Sequence, residues 1–332
     1  MRRRDLLALA GGIAIRPVVG VAQGNTAANS NPSKTPRIGV VFPISRDAAH
    51  GEVEALLDSL HALGWDNGGN IVVREHWADG HAERLPSIAR QLVSSAVDML
   101  VTVGTPATLA ARKATTTVPI VFVGLGDPVG LRVVNSLARP GGNLTGISLE
   151  STGLITRRLE LLREIVPHLG RLAVIARDDP GMEQRSLDIR GIASRMGVHA
   201  REFQAITGQA IELAFLWLTN DRADAIYVAS GPLGPAKRAE IIALAAKARL
   251  PAIYSFRAFP AAGGLMSFGT DEKESFRQAA MFIDKILKGA KPSELPVEHP
   301  AKFQLVINMR AASEIGVSMP QSLLARADEV IE

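Results

Sequence analysis

From Arg37 onwards the chain alternates short apolar runs with longer amphipathic stretches, and this order is its strongest constraint. The runs RIGVVFPI (37–44) and VDMLVTVG (97–104) have the length and β-branched content of buried strands. Between them, GEVEALLDSLHALGW (51–65) carries its apolar residues at helical spacing. Strand–helix alternation with brief connections predicts an α/β fold, in which parallel sheets are covered by helices on both faces.

The number of predicted strands is too large for one compact sheet of this type. The chain has 332 residues, which is enough for about two ordinary domains. The turn Pro140-Gly141-Gly142-Asn143 interrupts the alternation and indicates a boundary. We therefore expect two similar Rossmann-like lobes, with more than one chain crossing between them.

The N-terminus has the three parts of a secretory leader. A basic start is followed by the apolar stretch Leu6–Ile15 and by the small residues Gly20 and Ala22. This apolar stretch is ten residues long, whereas a membrane-spanning helix needs about 20. We expect residues 1–22 to be a signal peptide cleaved near Ala22, through either the general or the twin-arginine pathway, with 23–35 as a linker. The alternative is a frayed cytosolic N-terminus.

Charge and missing motifs exclude several classes of function. The net charge is +4, but the first 22 residues hold four arginines against one aspartate, so the remainder carries only +1 and no nucleic-acid surface is expected. The chain has no cysteine, no Gly-x-Ser-x-Gly elbow and no His-Glu-x-x-His motif. Neither catalysis, nor a cofactor, nor a metal site is predicted. The charged stretch DEKESFRQ (271–278) is expected to be the solvated side of a helix.

Polar residues cluster where predicted strands end, which is where parallel sheets bind ligands. Gly104-Thr105 begins a helix whose free amides could hold an anion, or Thr105 could simply cap that helix. Asp127 could receive an ammonium or hydroxyl group, or could form an Asx turn with Pro128. Tyr254 is expected to face the cleft at a strand end, where it could stack on an apolar or aromatic ligand.

Several long segments resemble one known family. They are GTPATLAARKATTTVPIVFVGLGDPVG (104–130), LARPGGNLTGIS (137–148), LPAIYSFRAFPAAGGLMSFGTD (250–271) and ILKGAKPSELPVEHPAKFQLVINM (286–309). The chain resembles solute-binding proteins of ABC importers, and is similar to the family with tryptophan- and tyrosine-binding members. The resemblance implies a type I periplasmic-binding fold with a three-crossing hinge. Lobe 1 would comprise 36–145 plus 269–290, and lobe 2 would comprise 146–268 plus 291–332.

The resemblance also implies a periplasmic monomer that binds a small, amino-acid-like and possibly aromatic solute and delivers it to a membrane permease. A sensor that presents its closed state to a membrane receptor is the alternative. The implied ligand-binding residues lie at strand ends in both lobes and on a crossing: Ser45, Gly104, Thr105, Ala107 (through its amide), Asp127, Ser230 and Asp271. Gly104, Thr105 and Ala107 would hold an α-carboxylate, and Asp127 an α-ammonium. Tyr254 completes the predicted set.

Overall fold

The structure is a computed structural model that describes residues 35–149, 152–176, 182–204, 216, 218, 222–229 and 235–332. Its first sheet has five strands, all parallel to their neighbours, in the order β2-β1-β3-β4-β5. These strands are β1 (Arg37–Phe42), β2 (Val72–Trp77), β3 (Met99–Val103), β4 (Ile120–Leu125) and β5 (Leu144–Ser148). The central strands β1, β3 and β4 are buried on both faces, which explains their continuous apolar runs.

The second sheet has seven strands, in the order β12-β11-β10-β9-β8-β6-β7. Only β10 and β11 pair antiparallel; the other neighbours are parallel. Its strands are β6 (Arg171–Ala176), β7 (His199–Gln204), β8 (Ala225–Val228), β9 (Ala252–Tyr254), β10 (Met266–Thr270), β11 (Phe303–Asn308) and β12 (Glu329–Ile331).

Helices separate the strands along the chain. The helices with described bounds are α1 (His50–Ala62), α2 (Leu85–Ser94), α3 (Gly104–Ala114), α4 (Thr152–Ile165), α5 (Met182–Arg195), α6 (Pro235–Lys247), α7 (Glu272–Leu287), α8 (Met309–Ile315) and α9 (Gln321–Leu324).

Each sheet is covered by helices on two faces, which gives four apolar clusters. On one face of the first sheet, α1 and α7 pack together, and α2 and α3 cover the other. Helices α4, α5, α8 and α9 contribute to the cluster on one face of the second sheet, and α6 contributes to the cluster on the other. This arrangement confirms the predicted α/β class with two lobes of mainly parallel sheet flanked by helices.

The chain passes between the two sheets three times. It leaves the first sheet after β5, returns after β10 to form α7, and leaves again before β11. The third passage runs beside β5, where the Glu298 amide donates to the Gly146 carbonyl (3.0 Å) and the Ser148 amide donates to the Glu298 carbonyl (2.9 Å). The predicted lobe boundaries at 145/146 and 268/269 fall inside β5 and β10. In the described part of the chain, no helix has the length and apolarity needed to cross a bilayer.

Candidate functional site

The junction of β3 and α3 is the first predicted ligand contact. Val103 is extended (φ −107°), and Gly104 at φ +75° begins the helix without a side-chain cap. Thr105 is buried, and its hydroxyl accepts a hydrogen bond from the Gly126 amide (3.4 Å) on the loop after β4. Thr105 therefore does not cap its own helix; it links two neighbouring strand ends. The amides of the first helical turn have no partner inside the helix, which leaves them suited to an anion.

Two threonines that sequence analysis missed hold this junction rigid. The Thr108 hydroxyl donates to the Gly104 carbonyl (2.8 Å), and it is also 2.9 Å from the Thr102 hydroxyl. Both side chains are fully buried, as is Ala107. Ala107 can therefore serve a ligand only through its backbone. The signal in the sequence is a threonine four residues after Gly104, where it can bond to that carbonyl.

Asp127 lies at the end of the neighbouring strand, close to Thr105. Its backbone is left-handed (φ +34°), and its Oδ1 accepts a hydrogen bond from the Gly130 amide (2.8 Å). The carboxylate lies directly over Gly130, where a Cβ atom would be 2.7 Å from its Cγ. This is an Asx-type turn. The side chain is nevertheless exposed, so a carboxylate oxygen also faces solvent.

Ser45 and Asp271 occupy different environments. Ser45 is half-buried after β1 and makes no capping hydrogen bond to the short 3-10 turn Arg46–Ala48. Asp271 caps α7 by accepting from the Glu274 amide (3.1 Å), and its second oxygen accepts from Gln304 Nε2 (3.0 Å). Asp271 therefore already has internal partners for both carboxylate oxygens.

Tyr254 is placed in the core and not at an open strand end. It is 1% exposed and stacks on Phe259 with the ring centroids 4.4 Å apart. Burial raises the pKa of its phenol. Because it lies in the apolar cluster that includes residues of α6, its ring has almost no surface for a ligand. Ser230 lies outside the described residues.

Three charged residues that sequence analysis did not single out influence one another at helix starts. Glu272 is the first residue of α7, Glu52 lies in the first turn of α1, and Arg238 lies in the first turn of α6. Burial, and next the Glu52 charge, raise the pKa of Glu272 to about 7, although Arg238 acts in the opposite direction. Burial likewise raises the pKa of Glu52. The expectation of a solvated DEKESFRQ face is wrong in part, because Glu272 is half-buried and Ser275, Phe276 and Gln278 are buried.

The described residues contain no group of three histidine, aspartate or glutamate side chains that could hold a metal ion. The functional groups at the strand ends are instead hydroxyls, amides and single carboxylates. Such groups bind and orient a small polar molecule by hydrogen bonding.

Comparison with known proteins agrees with this arrangement. The family described as "ABC transporter substrate binding protein" matches residues 37–331. A tyrosine-binding protein of Clostridioides difficile (strain R20291) is 25% identical over 309 residues, which cover 91% of this chain and 89% of that protein.

Solved structures of similar proteins share the fold. A conserved domain protein of Vibrio cholerae is 29% identical with a TM-score of 0.81, covering 90% of this chain and 100% of that one. An ABC domain in complex with L-Trp from Streptococcus pneumonia is 24% identical with a TM-score of 0.82 and the same coverage. The fold is thus the type I periplasmic-binding fold, and the family consists of solute-binding proteins, not enzymes. The chain belongs to the ABC transporter substrate-binding protein family.

Proposed function

We propose that this protein is the extracytoplasmic solute-binding component of an ABC importer and captures a small amino-acid-like solute. The observation that carries the proposal is the rigid β3–α3 junction, whose uncapped helix start lies beside the Asp127 turn. Helix amides favour a carboxylate and the aspartate favours an ammonium group, so together they match the two charged ends of an amino acid. A solute with an aromatic side chain is the first class to test, since one relative is a tyrosine-binding protein and another was solved in complex with L-Trp.

In this proposal the solute lies between lobe 1 (36–145 plus 269–290) and lobe 2 (146–268 plus 291–332). Closure about the three crossings adds contacts from the second lobe and excludes water. Gly104, Thr105 and the Ala107 amide hold the carboxylate, and Asp127 holds the ammonium group. The remaining contacts to the solute come from Ser45, Ser230 and Asp271. Tyr254 supports the second lobe from its core, because its buried ring leaves no room for direct contact.

The proposed partner is a membrane permease that recognises the closed monomer, and the protein itself performs no chemistry. Native mass spectrometry of protein purified without denaturation should show one bound small molecule, released unchanged. A deletion strain should then lose uptake of that molecule. Normal uptake with loss of a transcriptional or chemotactic response would support the sensor alternative, and recovery of an altered molecule would indicate an enzyme.

Export is proposed from the leader, which lies outside the described residues. The protein recovered from the periplasm should begin at residue 23. Replacing Arg3 and Arg4 together by lysine should block export through the twin-arginine pathway and leave general secretion intact.

The proposed role of Asp127 can be separated from its turn by a conservative substitution. Asp127→Asn keeps an oxygen for the Gly130 amide and tolerates the left-handed backbone, so the free energy of unfolding should change by less than about 0.5 kcal/mol. Affinity for an ammonium-bearing solute should nevertheless fall by on the order of 10-fold, because the charged partner is lost. Calorimetric titration with the co-purified solute measures this. Wild-type affinity in Asp127→Asn would show that the aspartate serves only the turn.

A further inference from the structure

Arg158 is a buried cation that the proposed function does not yet use. It lies in the second turn of α4, and only 2% of it is exposed. Its neighbours on the core-facing side of the helix are the buried residues Ile155, Leu159 and Leu162. A buried guanidinium is rare unless it is paired, because its transfer from water is costly.

The guanidinium lies beyond the carboxyl end of β9. That strand ends at Tyr254 and pairs with β10 only through Met266 and Ser267, so Phe268 extends past it. Arg158 Nε donates to the Phe268 carbonyl (2.6 Å), and Nη1 donates to the Tyr227 hydroxyl (2.8 Å). The side chain thus joins β8 to β10 at the edge of the sheet where parallel strands bind ligands.

Among the described residues, no carboxylate pairs with Arg158, whose guanidinium carbon lies 5.8 Å from the centre of the Tyr227 ring. Both acceptors are neutral, and every ion pair in the described part of the chain joins other residues. Among the described residues no acceptor is found for Nη2 either. The two N–H groups of Nη2 therefore have no partner in the part of the chain that the structure describes.

Gly269 leaves the backbone beside Nη2 without a side chain. A Cβ atom there would overlap the Ser255 carbonyl oxygen and stand 3.8 Å from Nη2. Ser255 is itself buried, and its hydroxyl donates to the Val228 carbonyl (3.3 Å), which fixes the ends of β8 and β9. The surroundings of Nη2 are therefore rigid and polar, as a site for a charged group should be.

We propose that Arg158 is the anion-binding group of the second lobe, and that the solute must carry a carboxylate which hydrogen-bonds to Nη2. The inference rests on the proposed function and adds to it a positive charge that the first-lobe amides lack. A guanidinium binds carboxylate oxygens with short, charge-assisted hydrogen bonds. In the alternative, Arg158 only ties β8 to β10.

The test measures selectivity, because a purely structural role would weaken all ligands alike. Thermal-shift and calorimetric titrations use the twenty standard L-amino acids and 3-phenylpropanoate, each beside its primary amide. Wild-type protein should prefer the carboxylate over the matched amide by on the order of 10- to 100-fold.

Arg158→Gln removes the charge, and should lower that preference to the few-fold that the first-turn amides of α3 contribute alone. Arg158→Lys keeps the charge without the Nη2 geometry, and should show a preference between those of wild type and Arg158→Gln. If the glutamine variant does not fold, the lysine variant alone tests whether Arg158 binds the carboxylate. Arg157→Gln is the matched control, since it removes the same charge from the next position of α4, where Arg157 donates to Glu160 at the surface, and should keep the preference within about 3-fold of wild type.

The possible outcomes separate this inference from the proposed function. Carboxylate binding with an undiminished preference in both Arg158 variants would overturn the role of Arg158 and leave solute binding intact. Equal binding of carboxylates and their amides by the wild-type protein would also overturn the role of Arg158 and leave solute binding intact. Binding of none of the probes would contradict both the carboxylate requirement and the amino-acid-like solute.

Discussion

Gly146→Ala is expected to destabilise the protein by roughly 2–5 kcal/mol, a large part of the stability of an ordinary domain. Gly146 lies in β5 at φ +144°, opposite Phe122 of β4. A Cβ atom would overlap the Phe122 carbonyl oxygen and stand 2.6 Å from its nitrogen. Because backbone atoms of a paired strand cannot rotate aside, the two strands would have to separate.

The same change also disturbs the third crossing, since the Gly146 carbonyl accepts from the Glu298 amide. Gly142→Ala is the matched control, because its Cβ would have no heavy atom within 4 Å, and it should change stability by less than about 0.5 kcal/mol. Urea denaturation of both variants measures the difference. Equal midpoints would show that β4 and β5 are not packed this closely.

Glu272→Gln is expected to stabilise the protein above neutral pH and to flatten its pH dependence. The pKa of Glu272 is raised to about 7 in the folded state, chiefly by burial and then by Glu52. Between pH 4.5, the ordinary pKa of a glutamate, and about pH 7, the folded state therefore binds more protons than the unfolded state. The stability that the protonated carboxyl supports is complete below pH 4.5 and is lost as the pH rises through 7.

The expected gain of Glu272→Gln at pH 8 is on the order of 1–3 kcal/mol, and it should shrink towards zero at pH 4.5. Favourable interaction of a carboxylate with a helix start is smaller, about 0.3–1 kcal/mol, so burial prevails. Chemical denaturation at several pH values measures this, with the exposed Glu314→Gln as a surface control. A constant difference between Glu272→Gln and wild type from pH 4.5 to 8 would contradict the assigned environment.

Periodicity was sufficient to predict most of the strands and helices and the two lobes, but it missed the short edge strand β12. Each buried strand is a continuous apolar run, and parallel pairing makes such runs recognisable. The exact crossings are harder, because GGLMSFGTD continues without a break from β10, in the second sheet, into α7, on the first. No local signal in that segment shows where one lobe ends.

The strand-end positions of the candidate site residues were predictable, but their hydrogen bonds were not. A strand end identified Gly104, Thr105 and Asp127, whereas their hydrogen bonds to neighbouring loops depend on tertiary contacts between separate segments. Tyr254 also ends a strand, yet its ring lies on the face covered by α6. A position at the end of a strand locates the backbone, but it does not show on which of the two faces of the sheet the side chain lies.

Arg158, in contrast, was not predicted as a site residue. Its helical spacing from Ile155 and Leu162 places Arg158 on the apolar face of α4. The preceding residue, Arg157, lies on the outer side of the helix and donates to Glu160. A pattern of arginines in a helix usually indicates a solvated face. The burial of one of them became apparent only from its bonds to β8 and β10.

The most direct test of the central claim is a crystal structure of the protein with the solute that it retains on purification. We predict that the solute lies between the carboxyl edges of the two sheets, with a carboxylate that contacts the first turn of α3 and Arg158. A solute bound elsewhere, such as in the cavity of about 120 Å³ lined by Arg37, Arg74 and His76 at the β2 edge, would contradict the account.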